Sequence, residues 1–209
     1  MTDVQPGTPE QAVAALRRDH VVVVPTDTVY GLAARFGAAG VERLFVLKGR
    51  STDKAFAVLV GSHAQAAELA DLGPAAARLA ECFWPGPLTI VTRRAGGVDL
   101  DLGGDRSTIG LRFPRSELIV ELTHAVGPLV TTSANRSGEP CLESFDDIAA
   151  TFGRPTGPDM GPTVEAAIDG GILSGEPSTV VDCTVEPVVI LRPGPLDPDL
   201  VRAVARGLA

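Results

Sequence analysis

Polar residues that could do chemistry gather in short clusters, each set against an apolar run. PTDTVYG, Pro25 to Gly31, follows four consecutive valines, and KGRSTDK, Lys48 to Lys54, brings three cations into one stretch. STIGLR, Ser107 to Arg112, TTSAN, Thr131 to Asn135, and LRPG, Leu191 to Gly194, complete the set. Fixed cations stabilise charge on anionic oxygens and hydroxyls fix their orientation, so together these types suit a polyphosphate or another anionic ligand. Each cluster also has a plainer reading. Asp27 and Thr28 are turn caps on that view, Lys48, Arg50 and Lys54 a solvated helix end, and Ser133 and Asn135 ordinary turn formers.

Other chemistries lack their residues. The chain has no G-x-x-x-x-G-K-[ST], no G-x-G-x-x-G and no G-x-S-x-G, which leaves a P-loop, a dinucleotide fold and a nucleophile elbow unsupported. His20, His63 and His124 lack metal-ligand spacing and read as surface or packing residues. Cys82, Cys141 and Cys183 form no C-x-x-C pair, which argues against a disulfide framework and for a reducing, cytoplasmic setting.

The elements that must position these clusters follow from pattern. Thr8-Pro9-Glu10-Gln11 predicts a capped helix running to about Asp19. Val21 to Val24 reads as a strand covered on both faces that ends in a polar turn, and, taken with KGR, SAN and ILRPG, as a central strand carrying its polar tip to the floor of a cavity. A helix over Val41 to Leu47 leads into Lys48; Phe56 to Val60, Leu88 to Thr92, Thr108 to Phe113 and Leu129 to Thr132 read as strands. Helices are expected after Ser62, from Pro74 to Phe83, over Ser116 to Val126, after Ser144 and after Asp197. Short strands are expected at Ala167 to Asp169, Thr179 to Cys183 and Val188 to Leu191. AGGVDLDLGGDRS reads as a mobile loop, and FWPGPLT as a helix stop with a core tryptophan. Ligands in open α/β sheets settle at strand ends, so clusters from five strand ends can converge on one site.

Composition bounds the rest. With 209 residues, 44% apolar and 21% charged, the chain suits one generous domain with a substantial core. A net charge of -8 argues against a surface built to trap nucleic acid. Neither a basic leader with an apolar core nor a bilayer-length apolar run is present, so membrane insertion is not expected.

In this order the clusters resemble the YrdC-like family of threonylcarbamoyl-AMP synthases, from about Val21 to Gly194. The resemblance rests on PTDTVYGL, the K-x-R motif at Lys48-Gly49-Arg50, FWPGPLTIV, STIGLRFP, the S-x-N motif at Ser133-Ala134-Asn135, IDGG, PSTVVD and ILRPG. It implies a single-domain α/β fold over residues 1–209, a twisted mixed sheet with helices on its faces and a concave cationic cavity. The implied activity joins L-threonine, bicarbonate or CO2, and ATP into threonylcarbamoyl-AMP with release of pyrophosphate. A separate transferase complex then uses the product on a tRNA adenosine.

By the same resemblance Lys48 and Arg50 are the catalytic cations. Lys48, Arg50, Lys54, Thr108, Ser133, Asn135, Cys141 and Arg192 are expected on ATP. Thr28, Tyr30, Arg112, Thr131 and Ser178 are expected on threonine. Mg²⁺ is implied, with no carboxylate cage visible in the sequence to hold it. The chain departs from the family pattern at Ser51 and Ala55, where prolines are usual, at Leu59, where some members place a histidine, and at Cys141, often a serine. An RNA-binding module and a paralogue making a different carbamoyl adenylate are the competing readings; scarce aromatics weigh against the first.

Overall fold

Thr8 starts the first helix by local chemistry: its hydroxyl accepts the Gln11 amide while the Gln11 side chain accepts the Thr8 amide, closing a capping box. The computed structural model describes residues 6–153 and 163–208. Helix α1 (Pro9–Arg17) leads to β1 (Val21–Pro25), β2 (Tyr30–Arg35), α2 (Ala38–Lys48), β3 (Ala57–Leu59), α3 (His63–Leu69) and a minimal β4 (Ala70–Asp71). There follow α4 (Pro74–Phe83), β5 (Leu88–Arg94), β6 (Thr108–Arg112), α5 (Glu117–Val126), β7 (Leu129–Ser133) and α6 (Phe145–Phe152). The described chain closes with β8 (Val164–Ala167), β9 (Thr179–Asp182), β10 (Val189–Arg192) and α7 (Pro198–Arg206).

The strands join in one mixed sheet, ordered β10-β9-β5-β6-β3-β7-β2-β1-β8, with β4 on β5. The valine strand is therefore next to an edge rather than central. Its two-sided burial comes from helices, not from its place in the sheet. Val21 and Val23 enter the larger core with Leu32, Ala34, Val58 and Val130, whereas Val22 and Val24 pack with Ala12, Ala15 and Leu16 of α1 and Ile119 and Leu122 of α5. All four valines are fully buried, at about 1.5–3 kcal/mol each on removal from water.

β2 is a strand that the sequence reading passed over. Tyr30-Gly31-Leu32-Ala33-Ala34 is poor in β-branched residues, and its partners supply the pairing: Val24 opposite Gly31 on one side, Ser133 opposite Gly31 on the other. The hairpin it forms with β1 places Thr26, Asp27 and Thr28 at a turn. The face of the sheet carrying Ala33, Thr131, Ala57 and Gly110 in cross-strand register is covered by α1 and α5 at one end and left open at the other. The opening is the cavity described below.

The glycine-containing segment between β5 and β6 is pinned rather than loose. Leu102 is buried in the core, the Leu102 carbonyl accepts the Phe56 amide at 2.8 Å, and the Thr52 carbonyl accepts the Gly104 amide at 2.8 Å. Gly103 has φ +82, and a Cβ there would lie 2.9 Å from the Lys54 carbonyl oxygen, the Thr52 carbonyl oxygen and the Phe45 ring. Gly103→Ala is expected to cost about 1–3 kcal/mol, read as a lower urea midpoint, because both backbone strain and the close approach oppose it. The same change should push the loop of residues 51–55 outward.

Candidate functional site

A cavity of about 340 Å³ opens on the uncovered sheet face. This lies within the range of small-molecule pockets. Apolar walls come from Phe56, Leu59, Val91, Ile109 and Val180, and polar groups enter from strand ends and loops. Among the described residues three guanidiniums, Arg50, Arg112 and Arg192, line it, and no carboxylate does.

At one end stands Arg112, the most confined of the three. It is only 6% exposed, and burial holds its guanidinium below the usual arginine range while Asp27 pushes the other way. Nη2 donates to Asp27 Oδ1 at 2.5 Å, Nη1 to Thr28 Oγ1 at 2.9 Å and Nε to the Gly86 carbonyl at 3.2 Å. These bonds use three of the five N–H donors of a guanidinium and leave two for a ligand. Asp27, whose role the sequence left between turn holder and ligand, is the fixed counter-ion of Arg112.

The turn around Thr28 is organised by Thr26. The Thr26 hydroxyl donates to the Val29 carbonyl at 2.6 Å and accepts the Thr28 and Val29 amides. Its single proton is thereby used and both its lone pairs accept amides, so Thr26 does not donate across the 3.1 Å contact to Thr28 Oγ1. Thr131 likewise donates to the Leu32 carbonyl at 3.0 Å. Tyr30, fully buried, is among the residues that line the cavity, and its hydroxyl donates to the Gly171 carbonyl at 2.8 Å and accepts the Gly170 amide at 2.7 Å. That tyrosine ties the IDGG segment to β2. Burial raises its phenol above the usual range.

At the other end Arg50 lies over the Phe56 ring at 5.2 Å and donates to the Lys54 and Ala55 carbonyls and to Thr132 Oγ1. Burial and the field of Arg192 lower its pKa, with Asp53 opposing. Arg192 donates to the Ser178 carbonyl at 3.0 and 2.7 Å and to Ser178 Oγ at 3.1 Å. Partial burial holds it, too, below the ordinary value. Two cations that feel one another across a cavity leave an unbalanced positive field there.

The structure sorts the residues chosen from sequence. Thr28, Tyr30, Arg50, Thr108, Arg112, Thr131, Ser133, Ser178 and Arg192 line the cavity; Lys48, Lys54, Asn135 and Cys141 stand outside that lining. Lys48 is buried, its ammonium donating to the Ser133 carbonyl at 2.7 Å, Ser133 Oγ at 3.3 Å and Asn135 Oδ1 at 2.5 Å. Desolvation, helped by Arg50, lowers its pKa to about 8. It thus joins the K-x-R and S-x-N segments as a tether behind the wall. Lys54 is exposed in its loop, and Cys141 is near enough to Lys48 and Arg192 for a thiolate there to favour their charged forms. Thr26, Thr89 and Thr132 line the cavity without having been singled out from sequence. Thr26 and Thr132 lie inside the quoted polar clusters, and Thr89 lies in the FWPGPLT segment read as a helix stop and core packing.

Guanidiniums and hydroxyls are unsuited to a protein-held magnesium ion, which takes carboxylate and phosphate oxygens. Among the described residues no group of three or more His, Cys, Asp or Glu could hold a metal ion. Among them, too, no helix is long and apolar enough to cross a membrane.

Comparison with known proteins adds independent findings. The Sua5/YciO/YrdC family model, described as telomere recombination, matches residues 14–194. A Mycobacterium leprae protein provisionally named a threonylcarbamoyl-AMP synthase is 40% identical over 189 residues, which span 88% of this chain and 82% of that one. The Pyrococcus abyssi threonylcarbamoyl-AMP synthase is 36% identical over 190 residues, 88% of this chain but 53% of that longer protein. The crystal structure of Pyrococcus abyssi Sua5 complexed with L-threonine superposes with a TM-score of 0.83 at 36% identity, covering 94% of this chain and 56% of that one.

Proposed function

The chain belongs to the Sua5/YciO/YrdC family, whose members named above are threonylcarbamoyl-AMP synthases, and we propose that it is an enzyme of that activity and of the nucleotidyltransferase class. One observation carries the reading: a single cavity holds the confined guanidinium of Arg112, with two free donors, together with the less buried guanidiniums of Arg50 and Arg192. A carboxylate fits the first and a polyphosphate the second.

In this reading Arg112, set by Asp27 and Thr28, takes the carboxylate of L-threonine, with Thr131, Ser178 and Tyr30 shaping that end. Arg50, Thr108, Ser133 and Arg192 face the nucleotide, with Lys48, Lys54, Asn135 and Cys141 supporting them from behind or beside the wall. The threonine amine adds to CO2 and loses a proton, giving a carbamate. A carbamate oxygen then attacks the α-phosphorus of ATP, and the bond from that phosphorus to the bridging oxygen of pyrophosphate breaks. Positioning and charge stabilisation dominate such a transfer, so a site of guanidiniums without a histidine base or covalent nucleophile suits it. Magnesium, if it accompanies ATP, finds its fitting ligands on the phosphates. The product is a mixed anhydride that a separate transferase acting on tRNA would consume.

The test follows pyrophosphate with L-threonine and bicarbonate omitted in turn. Release is expected only with both present. Release that ignores threonine would overturn the reading.

Lys48 adds a pH signature. Below about pH 8 its ammonium predominates in the empty site, and above it the free amine does. A bound polyphosphate favours the ammonium and raises that pKa, so ATP affinity should fall as pH rises through about 8, with proton uptake on binding in that interval. Calorimetry in two buffers of different ionisation enthalpy measures the uptake. Affinity that is flat across this interval would separate Lys48 from the nucleotide.

A further inference from the structure

The hydroxyls at the amino-acid end can be counted proton by proton. Thr131 donates to the Leu32 carbonyl and Tyr30 to the Gly171 carbonyl, so neither has a hydroxyl proton left for a ligand, and Thr28 Oγ1 accepts from Arg112. Ser178 and Thr89 differ. Their oxygens are 2.8 Å apart, both side chains are buried and both line the cavity. Two hydroxyl protons share one bond, which leaves one proton unspent.

Arg192 decides which oxygen keeps it. Its Nη2 donates to Ser178 Oγ at 3.1 Å, and a hydroxyl that accepts from a cation becomes the better donor. The favoured order runs from Arg192 to Ser178 to Thr89, with the Thr89 proton turned to the cavity. Continuing the antiparallel register of Ile90 opposite Leu111 sets Thr89 opposite Arg112. The unspent hydroxyl donor and the two unspent guanidinium donors therefore border the same space.

We infer that Thr89 is a substrate-binding residue, donating its hydroxyl proton to a carboxylate oxygen of the amino acid held by Arg112. It also links the two ends of the cavity, because its donor is oriented from Arg192 through Ser178. The inference rests on the amino-acid site proposed above and adds to it a residue from the FWPGPLT segment, which the sequence reading had assigned to helix termination and packing.

The decisive variant is Thr89→Val, which keeps the shape of the side chain and removes the hydroxyl, compared with Thr89→Ser, which restores it. Threonine binding by calorimetry and the KM for each substrate are measured on all three proteins, with thermal unfolding as the check on folding. Thr89→Val should weaken threonine binding and raise its KM by about tenfold or more, leaving the KM for ATP near wild type. Thr89→Ser should recover most of the loss. Equal threonine affinity in wild type and Thr89→Val overturns the assignment of Thr89 alone. So does a loss that Thr89→Ser fails to recover, because that would report packing of the methyl group. Absence of threonine binding in the wild type removes the amino-acid site and this inference with it.

Discussion

Arg112→Ala should abolish measurable threonine-dependent pyrophosphate release and destabilise the fold by about 3–5 kcal/mol, the usual cost of leaving one partner of a buried ion pair alone. Asp27 has a side chain only 14% exposed and faces Arg112 at 2.5 Å, so removing the guanidinium strands a carboxylate with little water to replace it. Thr28 and the Gly86 carbonyl lose their donors as well. Urea unfolding of Arg112→Ala, Asp27→Ala and the double variant separates stability from binding. The double variant should regain much of the stability, since neither charge is then unpaired, while remaining inactive because the carboxylate partner of threonine is gone. Full activity in the double variant would show that Arg112 serves the fold only.

Arg50→Ala should lower kcat by about 10²–10³-fold with little change in stability, a magnitude typical of removing one group that stabilises transition-state charge. Two of its acceptors, the Lys54 and Ala55 carbonyls, belong to a partly exposed loop that water can serve when the guanidinium is absent. Lys48→Ala is expected to cost comparable turnover for a different reason. Its ammonium holds Ser133 and Asn135 together from behind, so its loss should also lower the unfolding midpoint, which Arg50→Ala leaves nearly in place. Single-turnover kinetics alongside unfolding curves distinguishes the two. Wild-type rates in Arg50→Ala would remove it from the site.

The sequence made the local devices readable because their partners lie within a few residues. Caps at Thr8, Ser62, Ser116, Ser144 and Asp197 occur where the hydroxyl and carboxylate side chains placed them, and α4 begins at Pro74 and ends at Phe83 as read. β2 escaped because its residues are weak strand formers held by neighbours distant in sequence. The clusters identified most residues of the cavity wall. What could not be read was how each donor is spent: Thr131 carries the right chemical type, yet its proton is committed to the Leu32 carbonyl inside the protein. Lys48 likewise has the right charge and turns it toward Ser133 and Asn135 instead of the open cavity. Hydrogen-bond direction depends on three-dimensional neighbours, and Thr89, inside an apolar strand, shows its use only beside Ser178.

The bonds that build the site join remote parts of the chain. Arg112 reaches Asp27 across 85 positions, Lys48 reaches Asn135 across 87 and Thr89 reaches Ser178 across 89. Closing such long loops is entropically costly, and the cost is recovered only when the whole sheet has paired. No early folding unit made from neighbouring elements can therefore carry a working half of the cavity. Binding competence arrives with the last strands, and a ligand that occupies the cavity should protect amide protons across the entire sheet rather than only beside itself.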